Sequence, residues 1–286
     1  MSRIEKAIQK ASKMRDSVRF EKTVENKDDR PESRAVLNKE AIKVSDKVKV
    51  DNPYIITLND PNSPVSEEYR NLKSMVVRLT KQEDFKNTLM ITSTLGSEGK
   101  SLTSLNLAIT LAQEYDHSVL LVDADLRNPF LHRYLNINPE IGLTDCLING
   151  HDIEKALIKT GIGKLTFLPA GRSVADPAEI LSSGKMKELI SEMKHRYSDR
   201  YIIIDTPPIL PFAETRSIGA SVDSILFVVK EGSVPLNDIK DALNILKDSN
   251  ILGIVYNNVG VENLRDHYSY YYKKYSGDGD GDGVRK

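Results

Sequence analysis

The chain has 286 residues, a formal charge of −1, 28% charged and 40% hydrophobic residues, and a single cysteine, Cys146. That length serves one large domain with extensions, and so balanced a charge excludes a global pull toward nucleic acid or an anionic membrane. One cysteine excludes an intrachain disulfide and no Cys/His cluster has zinc spacing, which together point to the cytoplasm.

Residues 1–50 are rich in Lys, Arg and Glu and read as a charged extension outside the core. Within them Ile4, Ala7, Ile8, Ala11 and Met14 recur at helical spacing beside Lys6, Lys10, Lys13 and Arg15. Such a basic amphipathic helix serves a partner or an anionic surface, or packs on its own domain. The start lacks the apolar stretch of a signal peptide, and no run approaches the roughly 20 apolar residues of a spanning helix. Residues 51–265 form the expected main domain, and 266–286 a flexible tail rich first in Tyr, then in Gly and Asp.

From about residue 88, short apolar runs alternate with longer helical segments: TLMITS, SVLLVDAD, LTFLPAG, YIIIDTPP, SILFVVK and ILGIVYNN. Runs of this length suit strands buried on both faces, and their alternation with helices predicts a doubly wound α/β domain. The sheet is expected to be mostly parallel, with helices on both sides.

The first of these strands leads into TSTLGSEGKSLTSLNLAITLAQEY. A Gly-Lys-Ser turn between a strand and a helix places backbone N–H groups and a helix N-terminus where they cradle phosphates. Gly96, Ser97, Glu98, Gly99, Lys100, Ser101 and Leu102 are the expected nucleotide-binding segment. Lys100 reaches the β- and γ-phosphates and the Ser101 hydroxyl ligates Mg²⁺, making ATP and Mg²⁺ the expected cofactors. The strict spacing of a phosphate loop wants glycine where this chain has Thr94, so the match is to a relaxed form. VDADLR ends the second strand with Asp123 and Asp125, and YIIID ends another with Asp205, at the carboxyl edge where open α/β sheets bind ligands. Arg127, just beyond, either neutralises charge there or forms a surface salt bridge.

The relaxed loop together with VDADLR resembles the bacterial tyrosine kinases, a branch of the MinD/ParA-like P-loop ATPases, over about residues 60–275. Glu67, Arg70 and Lys73 in SEEYRNLKSMV resemble that family's ExxRxxR oligomerisation segment, with lysine in place of the last arginine. The opening MSRIEKAIQKA is similar to the exosortase- and exopolysaccharide-associated subgroup. Tyr268, Tyr270, Tyr271, Tyr272 and Tyr275 resemble its autophosphorylation cluster.

The resemblance implies Lys100, Asp123 and Asp125 as catalytic residues and Ser101, Asp123, Asp125 and Asp205 around the metal. Asp123 is the nearer candidate for activating the nucleophile, although the residues themselves do not separate the base from the ligands. Asn257, after the last strand, falls where related ATPases contact adenine. A transmembrane adaptor of the polysaccharide chain-length type at the cytoplasmic face of the inner membrane, a ring of like subunits and a counteracting tyrosine phosphatase are the implied partners, with no nucleic acid. One departure bears on the loop: Ser97 stands where the family often has glycine, and a positive φ there carries a cost unless neighbouring Gly96 absorbs the turn.

The tail then has a chemical reason. A phenol with a pKa near 10 needs a base to attack phosphate at neutral pH, and the aspartates supply one. A segment carrying Gly277, Gly279, Gly281 and Gly283 has the flexibility to bring its tyrosines to a neighbouring subunit. The reading is therefore an ATP-dependent tyrosine autokinase acting in trans. The alternative is a MinD/ParA-like ATPase switch, which transfers phosphate to water, has no use for clustered tyrosines, and carries a second lysine near the loop start where this chain has Thr94 and Leu95.

Overall fold

The computed structural model describes residues 52–260, apart from 82–83, 115 and 197–198. The segment at 4–14 and the tyrosines at 268–275 lie outside the described residues.

Seven strands form one sheet in the order β3-β4-β2-β5-β1-β6-β7. They are β1 (Thr88–Ser93), β2 (Ser118–Asp123), β3 (Ile158–Lys159), β4 (Leu165–Leu168), β5 (Arg200–Asp205), β6 (Ser224–Lys230) and β7 (Ile251–Asn257). All pairings are parallel except that of β3 with β4. Each of the six apolar runs read from the sequence contains one strand. The two-residue β3 has no such signal and was not anticipated; it pairs antiparallel with β4, Ile158 beside Phe167.

Central strands β1, β5 and β6 are buried almost residue for residue, as expected of a sheet covered on both faces. One core layer gathers Leu89, Ile91, Leu105, Ile109, Leu121 and Ile203; the other gathers Met90, Leu120, Ile202, Ile204, Phe227 and Ala242. The first face packs against α3 (Lys100–Ala112), nearly all of whose residues are buried. The second is covered by elements including α8 (Gly184–Arg196) and α10 (Leu236–Ile245).

A four-residue helix and a 17-residue helix complete the first face: α1 (Ile56–Asn59) and α2 (Pro64–Thr80). Ser63 begins α2 by accepting from Ser66 N–H, with Pro64 pre-set in the first turn. Buried Asn106 of α3 ties this segment down. Its carboxamide oxygen accepts from Thr57 N and Oγ1, and its nitrogen donates to the Tyr54 carbonyl at 3.0 Å. Four of the remaining helices are α4 (Leu131–Tyr134), α5 (Leu143–Asn149), α6 (Ile153–Ala156) and α7 (Pro177–Leu181), with α9 (Ala213–Gly219) after β5. No helix among the described residues is long and apolar enough to cross a membrane.

Candidate active site

The topology brings the carboxyl ends of β1, β2 and β5 together, and with them the groups singled out in the sequence. Asp123 and Asp205 are direct register partners on adjacent parallel strands, so their carboxylates emerge side by side. Both are essentially without solvent contact. Each Asp123 oxygen accepts a backbone N–H, from Asp125 at 3.3 Å and from Leu131 at 3.2 Å, the second at the start of α4. Asp205 Oδ1 accepts from Ser104 Oγ at 3.0 Å, and the Ser101 hydroxyl also bonds its carboxylate.

Lys100 opens α3, and its ammonium lies 2.7 Å from Asp125 Oδ2 and 3.2 Å from Ser101 Oγ. The other Asp125 oxygen accepts from Asn128 N. Burial, Asp205 and Asp125 push Asp123 well above the usual carboxylate range against the pull of Leu131 N–H and Lys100. Asp205 is likewise raised, mainly by burial, although Lys100, Ser101 and Ser104 draw it back. Burial pulls the Lys100 ammonium down, but Asp205, Asp125 and Asp123 outweigh it and leave its pKa raised. One ammonium thus faces three buried acids.

The loop is held from inside and from one flank. Glu98 folds inward without solvent contact and accepts from Leu95 N at 2.8 Å. Asn257, at the end of β7, donates to the Glu98 carbonyl at 2.9 Å. It also lies so close to Gly99, at φ +93°, that a Cβ there would meet its side-chain nitrogen at 2.1 Å. Asn257 therefore touches the phosphate loop itself. Ser97 adopts φ +66° while Gly96 is not among the positive-φ glycines, so the turn falls on serine and Gly96 does not absorb it. A side chain at 96 would meet nothing within 4 Å, in keeping with a position that tolerates other residues.

The remaining candidates are engaged elsewhere. Arg127 donates to buried Glu214 at 2.6 Å and lies over the Phe212 ring, tying the turn after β2 to α9 in a salt bridge with one buried partner. On α2, Glu67 pairs with Arg70, Arg70 also donates to the Pro61 carbonyl, and Lys73 pairs with Glu114 at 2.6 Å. Sequence reasoning missed Ser104 and an aromatic group formed by Tyr54, Phe130 and Tyr134 beside the site.

The residues fit a magnesium nucleotide. Thr94 Oγ1 and Glu98 Oε1 are buried in the loop without a protein partner, and the carboxylates exceed the positive charge available. No group of three or more His, Cys, Asp or Glu side chains among the described residues forms a metal cage of its own. Mg²⁺ needs none, because one or two carboxylates complete its shell with phosphate oxygens and water.

A mostly parallel sheet with a Gly-Lys-Ser loop after β1, and acidic residues at the ends of the next two strands, β5 and β2, defines a P-loop nucleotide-binding protein. The AAA domain family model matches residues 86–251. Tyrosine-protein kinase YwqD of Bacillus subtilis is 35% identical over 221 residues, covering 76% of this chain and 90% of its own. Tyrosine-protein kinase etk of Escherichia coli K12 is 29% identical over 76% of this chain but only 30% of its own length. The solved kinase domain of the Escherichia coli enzyme superposes with a TM-score of 0.66 at 27% identity, covering 72% of this chain and 82% of that one. The septum site-determining protein MinD of Pyrococcus horikoshii, solved with Mg-ADP, is more distant: TM-score 0.53, 25% identity, 65% of this chain and 76% of that one. The chain belongs to the bacterial tyrosine-protein kinase family and is a protein-tyrosine kinase.

Proposed function

We propose that this kinase phosphorylates its own tyrosine cluster at 268–275, on a neighbouring copy, and that the cycle regulates production or export of an exopolysaccharide. The single observation that carries the chemistry is the Lys100–Asp125 pair at 2.7 Å, set against the buried Asp123–Asp205 couple. Phosphoryl transfer needs positive charge at the transferring group and an acceptor for the phenol proton, and these groups supply both at one place.

Backbone N–H groups of residues 96–101 and the start of α3 bind the ATP phosphates. Lys100 neutralises charge on the transferred phosphoryl. The phenol oxygen bonds to phosphorus as the bond to ADP breaks, and the phenol proton passes to a carboxylate of the Asp123–Asp125 pair. Two observations favour Asp123 as that acceptor: its raised pKa, and the engagement of Asp125 with Lys100. Ser101 and Asp205 would hold Mg²⁺, which would supply neutralisation of the phosphate charge.

Partners are carried over from the family resemblance: the proposed activator is a transmembrane adaptor of the polysaccharide chain-length type at the cytoplasmic face of the inner membrane. Ring assembly through Glu67, Arg70 and Lys73 requires their present intrachain pairs to be exchanged, and a tyrosine phosphatase resets the cycle.

The test is phosphotyrosine mapping of the purified chain after Mg-ATP, beside Lys100→Met. Phosphate on the 268–275 cluster that disappears in the variant establishes the autokinase. ATP hydrolysis with no phosphotyrosine on any residue overturns it in favour of a MinD-like switch.

A further inference from the structure

Beside the carboxylates, on the β2 flank of the phosphate loop, lies an aromatic surface that the reaction outlined above does not yet use. Leu131, whose N–H is bound by Asp123, begins α4, so the catalytic aspartate itself fixes where α4 stands. Phe130 and Tyr134 bracket that helix with ring centroids 5.1 Å apart. Tyr54 meets Tyr134 edge to face at 6.4 Å, held there by the bond from Asn106 to its carbonyl. Tyr54 is 62% exposed, an aromatic ring left in water at the edge of a charged site. The exposed Arg133 lies over the Phe130 ring at 5.0 Å.

We infer that the Tyr54–Phe130–Tyr134 surface seats the phenol ring of the acceptor tyrosine, making these three residues the determinants that select tyrosine as substrate. The inference rests on the kinase reading. Tyr54, which meets Tyr134 edge to face and stands largely exposed, leaves a ring face open to a further aromatic side chain, whereas serine or threonine gains nothing from it. The position suits the acceptor and not the base of the nucleotide. In the strand order, β2 and β7 lie on opposite sides of β1, and Asn257 of β7 closes the loop from the far flank. Charge agrees as well: Arg133 faces solvent beside the aromatic surface, and the tail that follows the tyrosines carries Asp278, Asp280 and Asp282. Burial, then Tyr54 and Asp205, hold the Tyr134 phenol above its usual value with Lys100 opposing, so it stays a hydroxyl within the field of the site.

The experiment uses the full chain and a synthetic peptide of residues 265–286, with peptide phosphotyrosine read by mass spectrometry. In Tyr54→Ala/Tyr134→Leu, the KM for peptide should rise about tenfold while the KM for ATP stays within about twofold, since aromatic contacts of this kind carry that much affinity. Tyr54→Phe/Tyr134→Phe keeps the rings and should restore the peptide KM. Tyr54→Ala alone alters only an exposed ring, spares the core and should still raise it. An unchanged peptide KM with an active wild type overturns the inference alone. An equal rise in the KM for ATP also overturns it, by giving the surface to the nucleotide. A wild-type chain that phosphorylates neither peptide nor tail overturns the kinase reading, and the inference with it.

Discussion

The two ends of the sheet bury acids in opposite ways. At the amino end, Asp223 accepts from Thr88 N and Oγ1 and from Lys194, and these bonds outweigh burial and hold it below the usual carboxylate range. Nearby, Tyr201 packs against Phe85 and His117 and shares a hydrogen bond with Thr80. At the carboxyl end, Asp123 and Asp205 are buried more deeply yet stand beside each other, and burial prevails. A satisfied acid stabilises the fold; an acid left at high energy is held ready for a cation, a phosphate or a proton. That contrast separates scaffold from site within one sheet.

The largest effect should come from removing the only ammonium among the three acids. Lys100→Met is expected to lower phosphotransfer by about 10³-fold or more, since it strips positive charge from the transferred group. It should also cost about 3 kcal/mol of stability at neutral pH, because Asp125 is left buried and unpaired. Adding Asp125→Asn should return most of that stability and none of the activity, as urea unfolding and peptide phosphorylation would show. Next comes Asp123→Asn, which is expected to lower transfer by about 10²-fold yet stabilise the nucleotide-free chain by about 1 kcal/mol, or about 2–4 °C in Tm. The gain has a pH signature. The ionised acid costs stability above its raised native pKa, and the cost is relieved as pH falls through that value toward the unfolded 3.8.

Asp223→Asn should behave in the opposite sense and to a smaller extent in function. It is expected to cost about 1 kcal/mol at pH 7 with transfer unchanged. Because the native pKa is depressed, the carboxylate contributes fully above 3.8 and its contribution is lost as pH falls through the lower native value. Melting curves of both variants across pH 3–8 would separate the two ends. Curves that shift in the same direction would break the comparison.

How much of this was legible in the sequence depends on the range of the interaction. The six long strands were readable because burial on both faces writes a continuous apolar run, Asp123 and Asp205 because parallel strands deliver their last residues to one edge, and Lys100 because a Gly-Lys-Ser turn opens the helix after β1. The antiparallel β3 was not readable, since two residues carry no period. Nor was the aromatic surface: Phe130 and Tyr134 sit close together in sequence, but Tyr54 meets Tyr134 from a distant segment held by Asn106, 52 residues from it. Asn257 was noticed for adenine, while its contact with Gly99 spans the whole domain and left no local trace.

The smallest effect tests the loop itself. Ser97 holds φ +66° in a position where a Cβ is strained, and Gly96 beside it takes none of that strain. A left-handed residue other than glycine costs about 1 kcal/mol, of which glycine's greater freedom in the unfolded chain returns a part. Ser97→Gly should therefore stabilise the chain by about 0.5 kcal/mol, an effect visible in denaturant midpoints. Its effect on ATP is the more telling readout. If the strained serine keeps the loop in a binding geometry only because Glu98 and Asn257 clamp it, relieving the strain leaves ATP affinity unchanged within about twofold. A loss of affinity on adding glycine would mean that rigidity at residue 97, and not the clamp, prepares the loop for phosphate.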